Sequence, residues 1–260
     1  MSTIDQAVIE ERLKALELRF TDSAREVKEL RGLLPRAARK ELAEIVDEWQ
    51  DVHYKWWIAT LAGVLALFCL SYTLYTKLGW VADQRSLPIG DDWALQHLPL
   101  LNTLPILSWG WFGLHLYACG AAVAYHPRRI PFLLFLLSVY IVVRALFVFL
   151  SPIGAPSGMV DMRLHDAIFS RILGTWTFTN EFVFSGHTAI PFLFFLFFRT
   201  RGLKTLMLAG SLLMAVCVLL SRNHYTVDVL AAFLVSYSVY ALADRGFARL
   251  IEPLFKTVSR

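Results

Sequence analysis

Cysteine is scarce in this chain, and its three copies are poorly placed for the usual structural roles of that residue. Cys69, Cys119 and Cys217 each lie inside an apolar block, with neither paired-disulfide spacing nor the Cys-x-x-Cys spacing of a metal site, so they read as small packing residues. Charge is thin too, at 18% Asp, Glu, Lys and Arg, and it is withdrawn from long stretches. That excludes an ordinary soluble domain. The formal net charge is +4, yet no basic stripe alternates with aromatics in a polar segment, so nucleic acid is not an expected partner. Nor is there a short basic start followed by an apolar run. The first fifty residues are charged and helical in pattern, so no cleavable signal peptide is expected and the first span should direct insertion itself.

What the chain does have is apolar residues gathered into blocks, 57% of 260 residues, with a mean hydropathy of +0.52. A hydrocarbon core of about 30 Å takes about 20 helical residues. Six blocks suit it: residues 56–78, 104–124, 130–150, 182–198, 203–220 and 225–243. The expected fold is an all-α membrane protein with six transmembrane helices over residues 53–246, an amphipathic helical segment at 1–52 and a tail at 247–260.

Within residues 1–52, apolar positions recur at helical spacing, with capping-box patterns at Thr3…Gln6 and Ser23…Glu26 and breaks near Gly32 and Pro35. This segment is either a solvated stub or an element for partner docking or self-association, which would give a homo-oligomer. Trp49, Tyr54, Trp56 and Trp57 suit an interfacial belt where it meets the first span. Short loops carry the basic residues on one side: Arg128-Arg129, then Arg199, Arg201 and Lys204, then Arg245, Arg249 and Lys256. With that side cytoplasmic, both termini are inside and the connections 81–103, 151–181 and 221–224 face outward. A bacterial inner membrane is the expected location, although a Golgi or plasma membrane satisfies the same hydropathy.

Polar residues inside spans mark functional sites by default, because hydrocarbon penalises them. Arg144 falls in the outer third of span three, His187 at the start of span four, and His224 and Asp228 at the start of span six, so all four should meet at the outer leaflet. His224 and Asp228, four apart on a helix, would share one face, the carboxylate fixing the imidazole tautomer and leaving the other nitrogen as nucleophile. Ser185-Gly186-His187-Thr188 would open a helix whose free N–H groups suit an anionic phosphate, with Gly186 allowing close approach and His187 acting as general acid. Arg144 offers a fixed fork for phosphoryl oxygens, and Arg222 is either an assistant or an interface anchor. Each has a structural alternative: a surface pair, an N-cap, a snorkelling arginine. His115 reads as a local helix–helix hydrogen bond outside the site.

Ser185-Gly186-His187-Thr188 and His224-Tyr225-x-x-Asp228-x-x-Ala231 resemble the two catalytic motifs of the sphingomyelin synthase-like branch of the type 2 phosphatidic acid phosphatase (PAP2) superfamily. Ser236 fits that pattern. Arg128-Arg129, Tyr140, Arg144 and Ser151 look like the branch's arginine-pair motif with stretched spacing, and Leu87-Pro88 with Asp91 is a looser echo of its proline-rich motif. Thr179-Asn180-Glu181 stands where members often have Cys-Gly-Asp, so Glu181 keeps the acidic position. The Lys-x-x-x-x-x-x-Arg-Pro motif of the phosphatases is absent around Arg144, which favours headgroup transfer.

The resemblance implies a two-step exchange between a phospholipid donor and a lipid acceptor of ceramide or diacylglycerol type. His224, oriented by Asp228, would take the phospho-headgroup as a phosphohistidine, and His187 would serve as acid and then base. Arg144, Ser185, Gly186, Tyr225, Arg222 and Glu181 would line the phosphate and substrate. No metal and no cofactor are expected, since the histidines and carboxylates lack a closed ligand set. A hydrolase using water at the same site, and a transporter or lipid-binding protein relaying protons, are the competing readings. Leu164, Ile168 and Ile172, at four-residue intervals and closed by Gly174, predict an interfacial helix in the long outer connection, either roofing the site or lying apart from it.

Overall fold

The computed structural model describes residues 35–50, 54–85, 88–150, 153–161 and 182–251. The expected caps before residue 35, the interfacial helix around Leu164–Ile172, Glu181 and the tail beyond residue 251 lie outside them. Helix α1 (Arg36–Gln50) belongs to a unit of its own. Leu42, Ile45, Val46 and Trp49 repeat along it at the i, i+3, i+4, i+7 spacing of one stripe, and Lys40 and Glu44 pair across a turn at 3.8 Å.

The second unit is helical throughout among the described residues. Its elements are α2 (Tyr54–Asp83), the short α3 (Trp93–His97), a π-helical turn (Ile106–Gly110) running into α4 (Trp111–Tyr125), a 3-10 turn (Pro127–Arg129), α5 (Ile130–Leu150), α6 (Gly186–Phe197), α7 (Arg201–Leu220) and α8 (Thr226–Leu250). Five helices are long and apolar enough to cross a membrane: Trp57–Asp83, Ile106–Tyr125, Pro127–Leu150, Arg201–Leu220 and Thr226–Leu250. The chain is an integral membrane protein. In place of the span expected over 182–198 stands α6, with 12 residues. At 1.5 Å per residue it is about 18 Å long, short of the hydrocarbon thickness.

The helix is short for local reasons. Residues 182–185 are held in an irregular conformation, and at the other end Phe198 turns extended, with Arg129 Nη1 donating to the Phe197 carbonyl that the helix leaves free.

α2 packs along α5, while α6 lies against α7 and α8, and α8 also meets α5. The core between them is aromatic and small-residue in turn: Phe132, Leu136 and Tyr140 from α5, Leu193, Phe194 and Phe197 from α6, Met207 from α7, and Ala232, Val239 and Ala243 from α8. Alanines on α8 let the helices approach closely, which is how spans associate when lipid supplies no hydrophobic contrast. Leucines that would be a liability in water, such as Leu70, Leu116 and Leu234, are 66%, 66% and 72% exposed, as surfaces facing hydrocarbon should be.

At the end of the bundle that holds the C-terminus of α5 and the N-termini of α6 and α8, the loops are knitted by main-chain bonds. Gly154 N–H donates to Pro88 O, Val160 N–H to Ser221 O, and Leu101 N–H to Leu220 O, at 3.1, 3.1 and 2.8 Å. Asp92 is the side chain that ties most of this together. Its carboxylate caps α3 through Leu95 N–H (3.1 Å) and accepts from both the N–H (2.6 Å) and hydroxyl (3.0 Å) of Thr226, the first residue of α8.

Partial burial alone would raise the Asp92 carboxyl pKa, but hydrogen bonds from the Thr226 and Leu95 N–H groups, the Thr226 hydroxyl and the Ala94 N–H outweigh it and hold the value below the ordinary one. A depressed folded-state pKa contributes stability that is present above the unfolded carboxylate range and lost as pH falls through the folded value. Asp92→Ala is therefore expected to lower unfolding free energy by about 1–2 kcal/mol near neutral pH. The gap from wild type should narrow in acid, which thermal melts in detergent at pH 7 and pH 3 will read.

Candidate active site

Ser185 is the N-cap of α6, its hydroxyl accepting from Thr188 N–H at 3.4 Å. The segment leading to it is fixed at two adjacent residues. Ser185 N–H donates to the carbonyl of Asp228 at 3.2 Å, and Arg144 Nη1 donates to the carbonyl of Phe184. A backbone link therefore joins the start of α6 to the start of α8, and a guanidinium from α5 holds the same segment.

Arg144 is 7% exposed and lies over the Phe184 ring, 5.7 Å from its centroid. A Cβ on Gly186 would stand 3.7 Å from Arg144 Cζ, an ordinary contact distance, so glycine here is not forced by crowding. The Arg144 guanidinium thus lies alongside the start of α6. His187 occupies the second position of α6, within electrostatic reach of His224, His115 and Arg144.

One sequence expectation needs correcting. His224 and Asp228 do not stack across a helix face, because α8 begins at Thr226 and His224 lies in the turn before it. They meet across a helix cap instead. Asp228 is the third residue of α8, and its Oδ2 accepts from the N–H of the N-cap Tyr225 at 3.0 Å. The same oxygen stands 3.6 Å from His224 Nδ1, too long for a hydrogen bond and short enough for an ion pair with a protonated ring. Both side chains are 7% exposed, and His224 Nδ1 is buried with no hydrogen-bond partner. The imidazole is also held edge-on by Phe182, with centroids 5.7 Å apart.

Tyr225 and Arg222 sit differently. The Tyr225 hydroxyl donates to Gly154 O and accepts from Gly90 N–H, both at 2.9 Å, so it bridges two loops. Arg222 has a left-handed backbone, φ 54°, and its guanidinium donates to the carbonyls of Ser157 (3.1 Å) and Leu95 (3.3 Å). Both line a cavity of about 160 Å³ with Asp91, Asp92 and Gln96, on the loop face. The structure thus brings Arg144, Ser185, Gly186, His187, His224 and Asp228 together, and gives Tyr225 and Arg222 bonds to the loops above them.

Sequence reasoning passed over Asp92 and Trp111, and it expected His115 to bond between helices, which it does not. Asp92 was hidden because its partner Thr226 is 134 residues away, and the motif echo pointed to Asp91 instead. His115 makes its bond within its own helix, Nδ1 to Trp111 O at 2.6 Å, and its ring lies 3.9 Å from the Trp111 indole. That indole lies 5.5 Å from the His187 ring. The only signal in the chain was the four-residue spacing of Trp111 and His115.

The arrangement offers two imidazoles, one backed by a carboxylate, with a cation and a helix N-terminus between the segments that carry them. That suits attack on a tetrahedral phosphoryl centre by one ring and proton transfer by the other. Residues 180–245, which contain both histidine segments, match the family model described as PAP2 superfamily C-terminal. No curated protein matches the sequence.

Proposed function

We propose that the chain is a PAP2-superfamily lipid phosphotransferase of the sphingomyelin synthase-like kind, working within the membrane at its outer leaflet. What carries the reading is the meeting of His187, His224, Asp228 and Arg144 at one end of the bundle, three helices contributing polar groups where hydrocarbon disfavours them.

In the first step the His224 nitrogen not facing Asp228 attacks phosphorus. The bond from phosphorus to the diacylglycerol oxygen breaks, and that oxygen leaves with the proton of His187. Asp228 balances the positive ring that forms on His224, over the 3.6 Å separation. In the second step an acceptor lipid hydroxyl attacks phosphorus, the P–N bond breaks, and His187 recovers the hydroxyl proton. Arg144 and the α6 N–H groups oppose the charge that builds on the phosphoryl oxygens in both transition states, and such preorganised donors are typically worth a few kcal/mol each.

A headgroup-labelled phospholipid tests this directly. Purified protein in mixed micelles should form labelled product lipid when a ceramide or diacylglycerol is supplied. Free labelled headgroup at the same rate with and without any lipid alcohol would identify a hydrolase instead.

A further inference from the structure

The proposed reaction needs His187 protonated when the donor lipid arrives, and its surroundings work against that. The charged and titratable groups facing it are Arg144 from α5, His224 from the turn before α8, and His115 from α4, and none of them is anionic. Asp228 stands against His224. On the α4 side the Leu107 carbonyl of the π turn accepts from the ring, and the indole of Trp111 lies beside it, its centroid 5.5 Å from the imidazole centroid at an interplanar angle of 57°. A cation within about 6 Å of an aromatic centroid is attracted by the ring's π electrons, most strongly by tryptophan and more so when desolvated.

Trp111 is held for this position from behind. It is the first residue of α4 after the π turn, and its N–H donates to the carbonyl of Ile106. His115, one turn on, lies against the indole at 3.9 Å and is itself pinned by its Nδ1–H to the Trp111 carbonyl, which also fixes its tautomer. Phe194, two turns beyond His187 on the same face of α6, closes on the His115 ring edge at 6.0 Å.

We infer that Trp111 is a positioning residue for the general acid, holding the imidazolium form of His187 by cation–π attraction against the nearby Arg144 guanidinium. The role rests on the proposed reaction, but the attraction itself is measurable without turnover. The protein would be labelled with ¹³C-histidine in detergent micelles, with the His187→Gln variant used to identify the His187 signal. Its titration is then followed with Trp111 replaced by tryptophans bearing one, two and four ring fluorines, which keep the shape and withdraw π density.

The titration midpoint should fall stepwise, by about half to one pH unit over the series. Trp111→Phe should lie between wild type and Trp111→Leu, and the basic limb of the pH–rate profile should move down in the same order. Superimposed midpoints across the fluorine series would overturn the inference, whatever the rates do. A stepped series in a protein that releases no headgroup would keep the Trp111 role and remove the reaction. A flat series in an active protein would do the reverse.

Discussion

His224→Ala is expected to lose roughly four orders of magnitude or more in headgroup release, because the covalent step of the proposed reaction loses its nucleophile. The fold should survive it. Main-chain bonds hold the turn around His224, Asn223 N–H to Val218 O at 2.8 Å and Asp228 N–H to Tyr225 O at 3.1 Å, and the imidazole Nδ1 makes no hydrogen bond within the protein. Wild-type protein quenched during turnover of labelled donor should carry acid-labile label, and the variant none. Label retained in the variant would move the nucleophile elsewhere, and an unaltered melting temperature would keep the comparison fair.

Arg144→Met is expected to cut the rate by about 10²- to 10³-fold, the usual cost of removing one preorganised donor to a developing oxyanion. Stability should change little, since two effects oppose each other. Removing the guanidinium leaves the Phe184 carbonyl without that donor, a loss of about 1–3 kcal/mol. It also removes a cation buried in the bundle, and an apolar side chain of similar volume at such a position is often neutral or stabilising. Arg144→Lys keeps the charge without the planar fork and should recover only part of the rate. A thermal melt beside the kinetic assay separates the two effects. A large fall in melting temperature with normal turnover of the remaining folded protein would make Arg144 a structural residue only.

How far the sequence could be read follows from what each signal depends on. Block hydropathy depends on composition, so residues 130–150 and 203–220 anticipated Ile130–Leu150 and Arg201–Leu220 closely. The last span was expected to stop at residue 243 and continues to Leu250, since Asp244 and Arg245 end the apolar run without breaking the helix. The fourth block failed differently: Phe182, Val183 and Phe184 are as apolar as any span, but the Phe184 carbonyl and the Ser185 N–H are taken up in tertiary bonds with Arg144 and Asp228. Hydropathy has no access to such partners. The π turn before Trp111 was equally invisible, and so was the helix start at Thr226, which moved His224 off the helix while keeping it beside Asp228.

The gathering of His187, His224, Asp228 and Arg144 was legible because each is expensive in hydrocarbon and each lay near the same end of its block. Their individual duties were less so. Tyr225 and Arg222 belong to the same stretch as His224, yet their polar atoms serve loop carbonyls and an N–H contributed by residues 90, 95, 154 and 157. Long-range pairing of this kind leaves no periodicity to find.

The 3.2 Å bond between Ser185 N–H and the Asp228 carbonyl has a mechanical consequence. It rivets the stems of the two histidines to each other through peptide groups, two residues before one ring and four after the other. Their separation is thus decoupled from how far the surrounding helices tilt when the bilayer thins or thickens. Host membranes of different thickness should alter how substrates arrive far more than the span between the two rings that the proposed reaction brings to one phosphorus atom.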